Sequence, residues 1–343
     1  MGLALGDALG APFESRRAKD VPDPIPAFEL PWMGQPPGST SDATAMARNL
    51  VRSLVARDGL DVDDLIARHI DWLASGPPGG GNFTRRVLRR AANGASPPDA
   101  ARAVWEERGP EASAGNGSVA YCGPLGAAYA NRPLALHALA PRLSSLTHFD
   151  QRCRTSVLAV TLTTAALIRG EGGDGALSAA WEGVQEVEGG EELEYLVEAV
   201  GGARPIDGPD QGFCLFAAAA GLQALGRGAG FAEELLRVVS LGGDTGTNAA
   251  VAGTLVGAAV GRRGLPEEWS GALLDRFDLE EEAPGARAPG HGNRTGLLDS
   301  RQAPGEGIHL SNTLGKGNDH AGRPRVDHHP RDRPSTLRGE EAA

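Results

Sequence analysis

The stretch LGGDTGTNAAVAG, residues 241–253, runs on as TLVGAAV to residue 260, and its reading decides the fold. Gly242 and Gly243 predict a turn, and Asp244 or Thr245 predicts the cap of a following helix. That helix carries Ala249, Gly253 and Gly257 at four-residue spacing. Small residues four apart share one helix face and let a second helix approach closely. Asp244 and Thr247 carry another reading at the same entry point, in which carboxylate and hydroxyl oxygens face a hard cation.

Working outward, helical spacing recurs along the chain. Residues 2–11 read as a short helix of small residues. Pro22, Pro24, Pro26, Pro31, Pro36 and Pro37 make 15–40 a loop. A helix starts at Asp42, with Met46, Leu50, Val51, Leu54 and Val55 on one side. Further helices are predicted at 61–75 and 84–94, the latter capped by Thr84 and stopped by Gly94. Others follow over 95–108, after the glycine loop at 114, over 132–148 and 149–170, and at 171–190, 191–200, 213–228 and 231–243. No stretch reads as a strand ladder, so the expectation is an all-α domain with functional loops between helices.

Composition agrees. The 343 residues include 49 glycines and only 5% aromatics, which favours close helix packing over a β-sandwich. A net charge of -11 argues against binding nucleic-acid phosphates and suits acidic clusters that hold divalent cations. No run of about 18 apolar residues suggests a membrane span. Cys122, Cys153 and Cys214 follow no CxxC pattern and read as buried thiols of a reducing cytoplasm. The opening MGLALGDALGAPFE has no basic leader region and starts inside a helix. Past residue 282 the period is lost and five of the eight histidines appear, so the expected domain is 1–282 and 283–343 reads as a disordered tail.

Four stretches carry chemistry: GDALGAPFE (6–14), GSTSDATAM (38–46), GNGS (115–118) and GGDTGTNAA (242–250). Each has a plain structural reading. Ser-Asp-x-Thr caps a helix, Gly-Asn-Gly makes a turn, and Asp7 binds a backbone amide. Together with TRRVLRR, NGSVAYCGPLG, LTHFDQ and GLPEEW, in this order over residues 2–275, they resemble the ADP-ribosylglycohydrolase family, of the dinitrogenase reductase-activating type.

The resemblance implies an orthogonal bundle of helices with a cleft between interhelical loops and two Mg²⁺ at its base. The family pattern Thr-Asp-Asp-Thr falls on Ser41, Asp42, Ala43 and Thr44. Gly-Gly-Asp-Thr-Asp-Thr falls on 242–247, with Gly246 in place of its second Asp. Glu14 matches a glutamate that contacts metal or its water. Gly115, Asn116, Gly117, Ser118 and His148 fall where the family borders ADP-ribose. Many relatives carry an acid near Gly79, Gly80 and Gly81, and Met-Arg at Ala120 and Tyr121.

With half the usual carboxylates gone, repulsion between two dications argues for one Mg²⁺, or Mn²⁺ in its place, on Ser41, Asp42, Asp244 and Thr247. The expected function is hydrolysis of an N- or O-glycosidic bond in an ADP-ribosylated small molecule or protein, with Glu14, Asp42 and Asp244 catalytic. The alternative is an ADP-ribose-binding pseudoenzyme without turnover. The leaving group and oligomeric state stay open.

Overall fold

The computed structural model describes residues 1–187, 190–206 and 212–282. Its α-helices are α1 (Gly2–Gly10), α2 (Asp42–Arg57), α3 (Val62–Ala74), α4 (Asn82–Ala92), α5 (Pro97–Arg108), α6 (Gly117–Ala120), α7 (Gly123–Ala128) and α8 (Leu136–Ser145). Then come α9 (Gln151–Ile168), α10 (Gly173–Val187), α11 (Glu191–Val200), α12 (Cys214–Arg227), α13 (Phe231–Ser240), α14 (Thr245–Val260), α15 (Glu267–Ala272) and α16 (Arg276–Glu282). The predicted all-α class is the observed one. The tail expected over 283–343 lies outside the described residues.

The small-residue stripe finds its partner in α1. An added Cβ on Gly2, Gly6 or Gly10 would lie 2.2, 1.9 or 2.3 Å from a backbone oxygen of Gly253, Ala249 or Thr245. Only hydrogen fits there, so the two backbones pack against each other directly. This crossing carries Asp7 and Glu14 of the first segment to the entry of α14.

Behind it, α9 is buried on nearly every side from Cys153 to Leu167 and packs on α7, α8, α10, α12 and α14. Three of its buried hydroxyls bond back to their own helix: Thr161, Thr163 and Thr164 each donate at 2.8 Å to the carbonyl four residues earlier. A threonine-rich helix can therefore sit in a core without leaving those hydroxyls unpaired.

Two details differ from the sequence reading. The segment taken as loop opens with β1 (Arg16–Arg17), paired antiparallel with β2 (Gly242–Gly243). A two-residue strand has no period to detect, and its partner is two glycines with φ of 74° and 72°. Thr84 does not cap α4, which begins at Asn82 with Gly81 in the cap position. Among the described residues no helix is long and apolar enough to cross a membrane. The three cysteines are buried and free.

Candidate functional site

Interhelical loops and helix entries surround a cleft of about 1150 Å³. Glu14, Asp42, Asp244 and Thr247 line it, as do Gly115, Asn116, Gly117 and His148. Four stretches distant in sequence thus meet in one place. Ser41 and Ser118 do not reach the cleft surface. Ser118 is fully buried, its hydroxyl 3.0 Å from that of Ser144.

Asp7 lies behind the floor with no exposed surface. It accepts the Ser41 amide at 2.8 Å, the Thr44 amide at 3.0 Å and both hydroxyls of those residues. These amides stand at the start of α2, where the helix cannot pair them itself. Asp7 therefore satisfies the entry of α2, together with Ser41, whose oxygen accepts the Ala43 amide at 3.4 Å. The plain reading of Asp7 as an amide binder describes its geometry. Burial lifts its carboxyl to about 6 despite these donors.

The three cleft carboxyls all resist ionisation. Burial first, and then the charges of Asp244, Asp42 and Asp7, push Glu14 up to about 8. Asp42 and Asp244 are raised mainly by burial. Each has one neutral donor from elsewhere in the fold. The Trp32 side chain bonds to Glu14, and the Gly80 amide donates to Asp42. Asn116 Nδ2 donates to Asp244 at 2.9 Å. Asp244 occupies the cap position of α14 and also takes stabilisation from the hydroxyl and amide of Thr247.

The positions that depart from the family pattern are filled in a coordinated way. A Cβ at Gly246 would lie 2.5 Å from Glu14 Oε1. A Cβ at Gly79 would lie 2.8 Å from Asp42 Oδ1 and 3.1 Å from Trp32 Cη2. The surviving carboxylates thus rest against the glycines. Ala43 does not face the cleft; it packs with Ala120 and Ala250 in a small buried cluster. Two departures, at 43 and 120, therefore share one buried cluster.

Arg85 holds the glycine loop. Its Nε donates to the Gly79 carbonyl at 2.7 Å and its Nη2 to that of Pro77 at 2.8 Å. Neither Arg85 nor Trp32 stood out in the sequence. Arg85 sits in TRRVLRR, where consecutive arginines look like a solvated helix face, and Trp32 lies in the proline-rich loop.

The opposite wall carries a neutral imidazole and one cation, Arg108, whose guanidinium carbon lies 6.0 Å from the Phe83 ring centroid. His148 stacks on Phe83 with ring centroids 5.1 Å apart, and Thr147 Oγ1 lies 2.9 Å from its Nδ1. Burial lowers its pKa to about 4, so it is uncharged at neutral pH. A Cβ at Gly117 would meet His148 Cε1 at 2.8 Å, so this glycine is demanded by the packing of the imidazole as well as by any ligand.

Asp42, Asp244, Glu14 and Thr247 offer hard oxygens, the donor set Mg²⁺ or Mn²⁺ takes. Among the described residues no three Asp, Glu, His or Cys side chains form a ready-made metal cluster. Among the described residues these oxygens therefore do not make a closed cage for a metal.

Comparison with known proteins agrees with this arrangement. The family profile described as ADP-ribosylglycohydrolase matches residues 1–297. The ADP-ribosyl-[dinitrogen reductase] glycohydrolase of Rhodospirillum rubrum is 27% identical over 286 residues, covering 82% of this chain and 90% of that protein. A solved structure titled ADP-ribosylglycohydrolase-related protein complex is 32% identical, with a TM-score of 0.70, over 83% of this chain and 94% of its own. The chain belongs to the ADP-ribosylglycohydrolase family.

Proposed function

We propose that this protein hydrolyses the glycosidic bond between an ADP-ribosyl group and a small molecule or protein. The observation that carries the reading is the meeting of Glu14, Asp42 and Asp244 with the Gly115–Asn116–Gly117 wall and His148 in one cleft. The glycine wall brings backbone close to a diphosphate, and the Phe83–His148 stack gives a flat neutral face beside it. Asp42, Asp244 and Thr247 would hold one Mg²⁺ or Mn²⁺, which when bound supplies positive charge at the ribose oxygens.

Glu14 is the base. Water adds to the anomeric carbon as the bond to the leaving group breaks; Glu14 takes a proton from the water, and the leaving group keeps the bonding electrons and takes up a proton from solvent or from Glu14. A carboxylate made more basic by burial accepts that proton more readily once ionised. Asn116 holds Asp244 in place and shares its charge.

One observation favours a second reading, binding without turnover: among the described residues no group of three Asp, Glu, His or Cys side chains is assembled in advance for a metal. A single panel separates the two. ADP-ribosyl-arginine, ADP-ribosyl-serine and α-NAD are incubated with and without Mg²⁺, and free ADP-ribose is followed by chromatography. Metal-dependent release lost in Asp42→Ala supports hydrolysis. ADP-ribose binding without release from any of them supports the binder.

A further inference from the structure

Beside the acidic floor, β1 and the turn after it set Arg16, Arg17 and Lys19 along the cleft. All three are exposed. Arg17 is paired with Asp20 at 2.7 Å. Arg16 lies over the Phe13 ring, its guanidinium carbon 5.3 Å from the centroid. Among the described residues neither Arg16 nor Lys19 has a carboxylate partner within ion-pair distance. Arg16 and Lys19 on this bank, with Arg108 across the cleft beside Phe83, line it without a carboxylate partner among the described residues, which is notable in a chain of net charge -11.

Their place in the fold gives them a direction. Arg16 pairs through its backbone with Gly243, immediately before Asp244, and the Ser15 amide donates to the Gly243 carbonyl at 2.7 Å. This bank therefore borders the floor beside Glu14 and Asp244. The glycine wall and the Phe83–His148 stack belong to other elements, α4, α6 and the segment before α9. A ligand with its ribose on the floor and its diphosphate on the glycine wall leaves the β1 bank for whatever is attached to the anomeric carbon.

We propose that the β1 bank is an anion-accepting subsite, and that the preferred group on the anomeric carbon carries a carboxylate or phosphate. The inference rests on the proposed ADP-ribosyl reading of the cleft. A guanidinium at that point would meet Arg16 and Lys19 with like charge, whereas an anion would pair with both. The subsite thus selects against arginine conjugates.

The test compares ADP-ribose with ADP-ribose 1″-phosphate by calorimetric titration, in the wild type and in R16A/K19A. Both residues are exposed, so the variant keeps its fold, which thermal unfolding checks. The expected result is at least tenfold tighter binding of the 1″-phosphate to the wild type. That ratio falls towards one in the double variant and shrinks in the wild type as salt is raised. Equal affinity of the two ligands for the wild type overturns the inference, as does a preference that survives in R16A/K19A. Failure of both ligands to bind overturns the ADP-ribosyl reading itself, and is distinct from equal binding of both.

Discussion

Gly246 tests how the site is put together. Restoring the family's aspartate there looks like a repair, but the geometry makes it a disruption. A Cβ on Gly246 falls 2.5 Å from Glu14 Oε1, and an ordinary contact begins near 3.4 Å, so the carboxylate must withdraw by about 0.9 Å. The nearest backbone, at Ala11, is 3.5 Å away and does not object. Helix propensity favours Ala over Gly by about 1 kcal/mol, and losing the Trp32 bond to Glu14 costs about as much. Gly246→Ala is therefore nearly neutral for stability. In a Glu14→Ala background the same change has nothing to evict and stabilises by about 1 kcal/mol. Chemical denaturation of the wild type, both single variants and the double variant then yields a coupling of about 1 kcal/mol. Displacing Glu14 by that distance lowers turnover by roughly 10²-fold. Gly246→Asp puts a second carboxyl within about 4 Å of Glu14; with both ionised the repulsion is about 4 kcal/mol at an effective dielectric of 20, so it pushes Glu14 further above 8, leaves less of it ionised, and is less active still. Additive stabilities, or a Gly246→Asp protein more active than its parent, would refute the argument.

Other consequences can be measured directly. Gly6→Ala drives a Cβ to 1.9 Å from the Ala249 carbonyl, backbone against backbone. It should cost 3 kcal/mol or more by overpacking, on the order of the largest such effects, whereas Gly172→Ala, with open space around it, should be near neutral in the same melt. Asp7→Ala orphans the Ser41 and Thr44 amides and should cost about 2–4 kcal/mol, whereas Asp7→Asn keeps an acceptor there and should cost less than half of that. Because burial raises the folded pKa of Asp7 from 3.8 to about 6, its protonated form favours the fold. Its contribution is complete below pH 4 and is lost as pH rises to 6, a change of about 3 kcal/mol; the stability difference between wild type and Asp7→Asn should follow that window and be flat above it. Arg85→Ala releases the Pro77 and Gly79 carbonyls and should speed hydrogen exchange at the Gly80 amide and lower turnover about tenfold, with Lys only partly restoring both because one ammonium replaces a planar fork.

Much of this was legible in the sequence, and the limits have physical causes. The stripe Ala249–Gly253–Gly257 announced a close helical crossing, since side-chain size and period are local properties. Its partner stripe, Gly2, Gly6 and Gly10, has the same spacing in the opening residues. Asp42 and Asp244 were found because carboxylates at helix entries stand out, whereas Glu14, which follows a short turn, was marked only by the family resemblance. Trp32 and Arg85 were not, because their roles depend on where a loop folds back and which carbonyls it presents. Ser41 and Ser118 sit in the right motifs, but a motif does not say which face of a short helix turns to the cleft. Ala43 shows the same limit: the sequence marks a missing acid, and only packing shows the position buried against Ala120 and Ala250.

The departures from the family pattern make physical sense as a set. The absence of a side chain at 246 leaves the place where Glu14 rests, and glycine at 79 lets the loop come down on Asp42. Each remaining carboxylate has gained or kept a neutral donor: Trp32 for Glu14, the Gly80 amide for Asp42, Asn116 for Asp244. Neutral donors spread a carboxylate's charge but do not cancel it, which is why all three pKa values remain raised. The floor is thus less negative than one with five acids, yet still in need of positive charge. On the proposed reading one dication would meet that need, and a second would face repulsion from the first with too few carboxylates to offset it. Adding an acid singly therefore does not rebuild the family pattern, because the space, the donors and the charge differ together. A return to two ions would need the glycine loop withdrawn and Glu14 moved away from residue 246 at the same time.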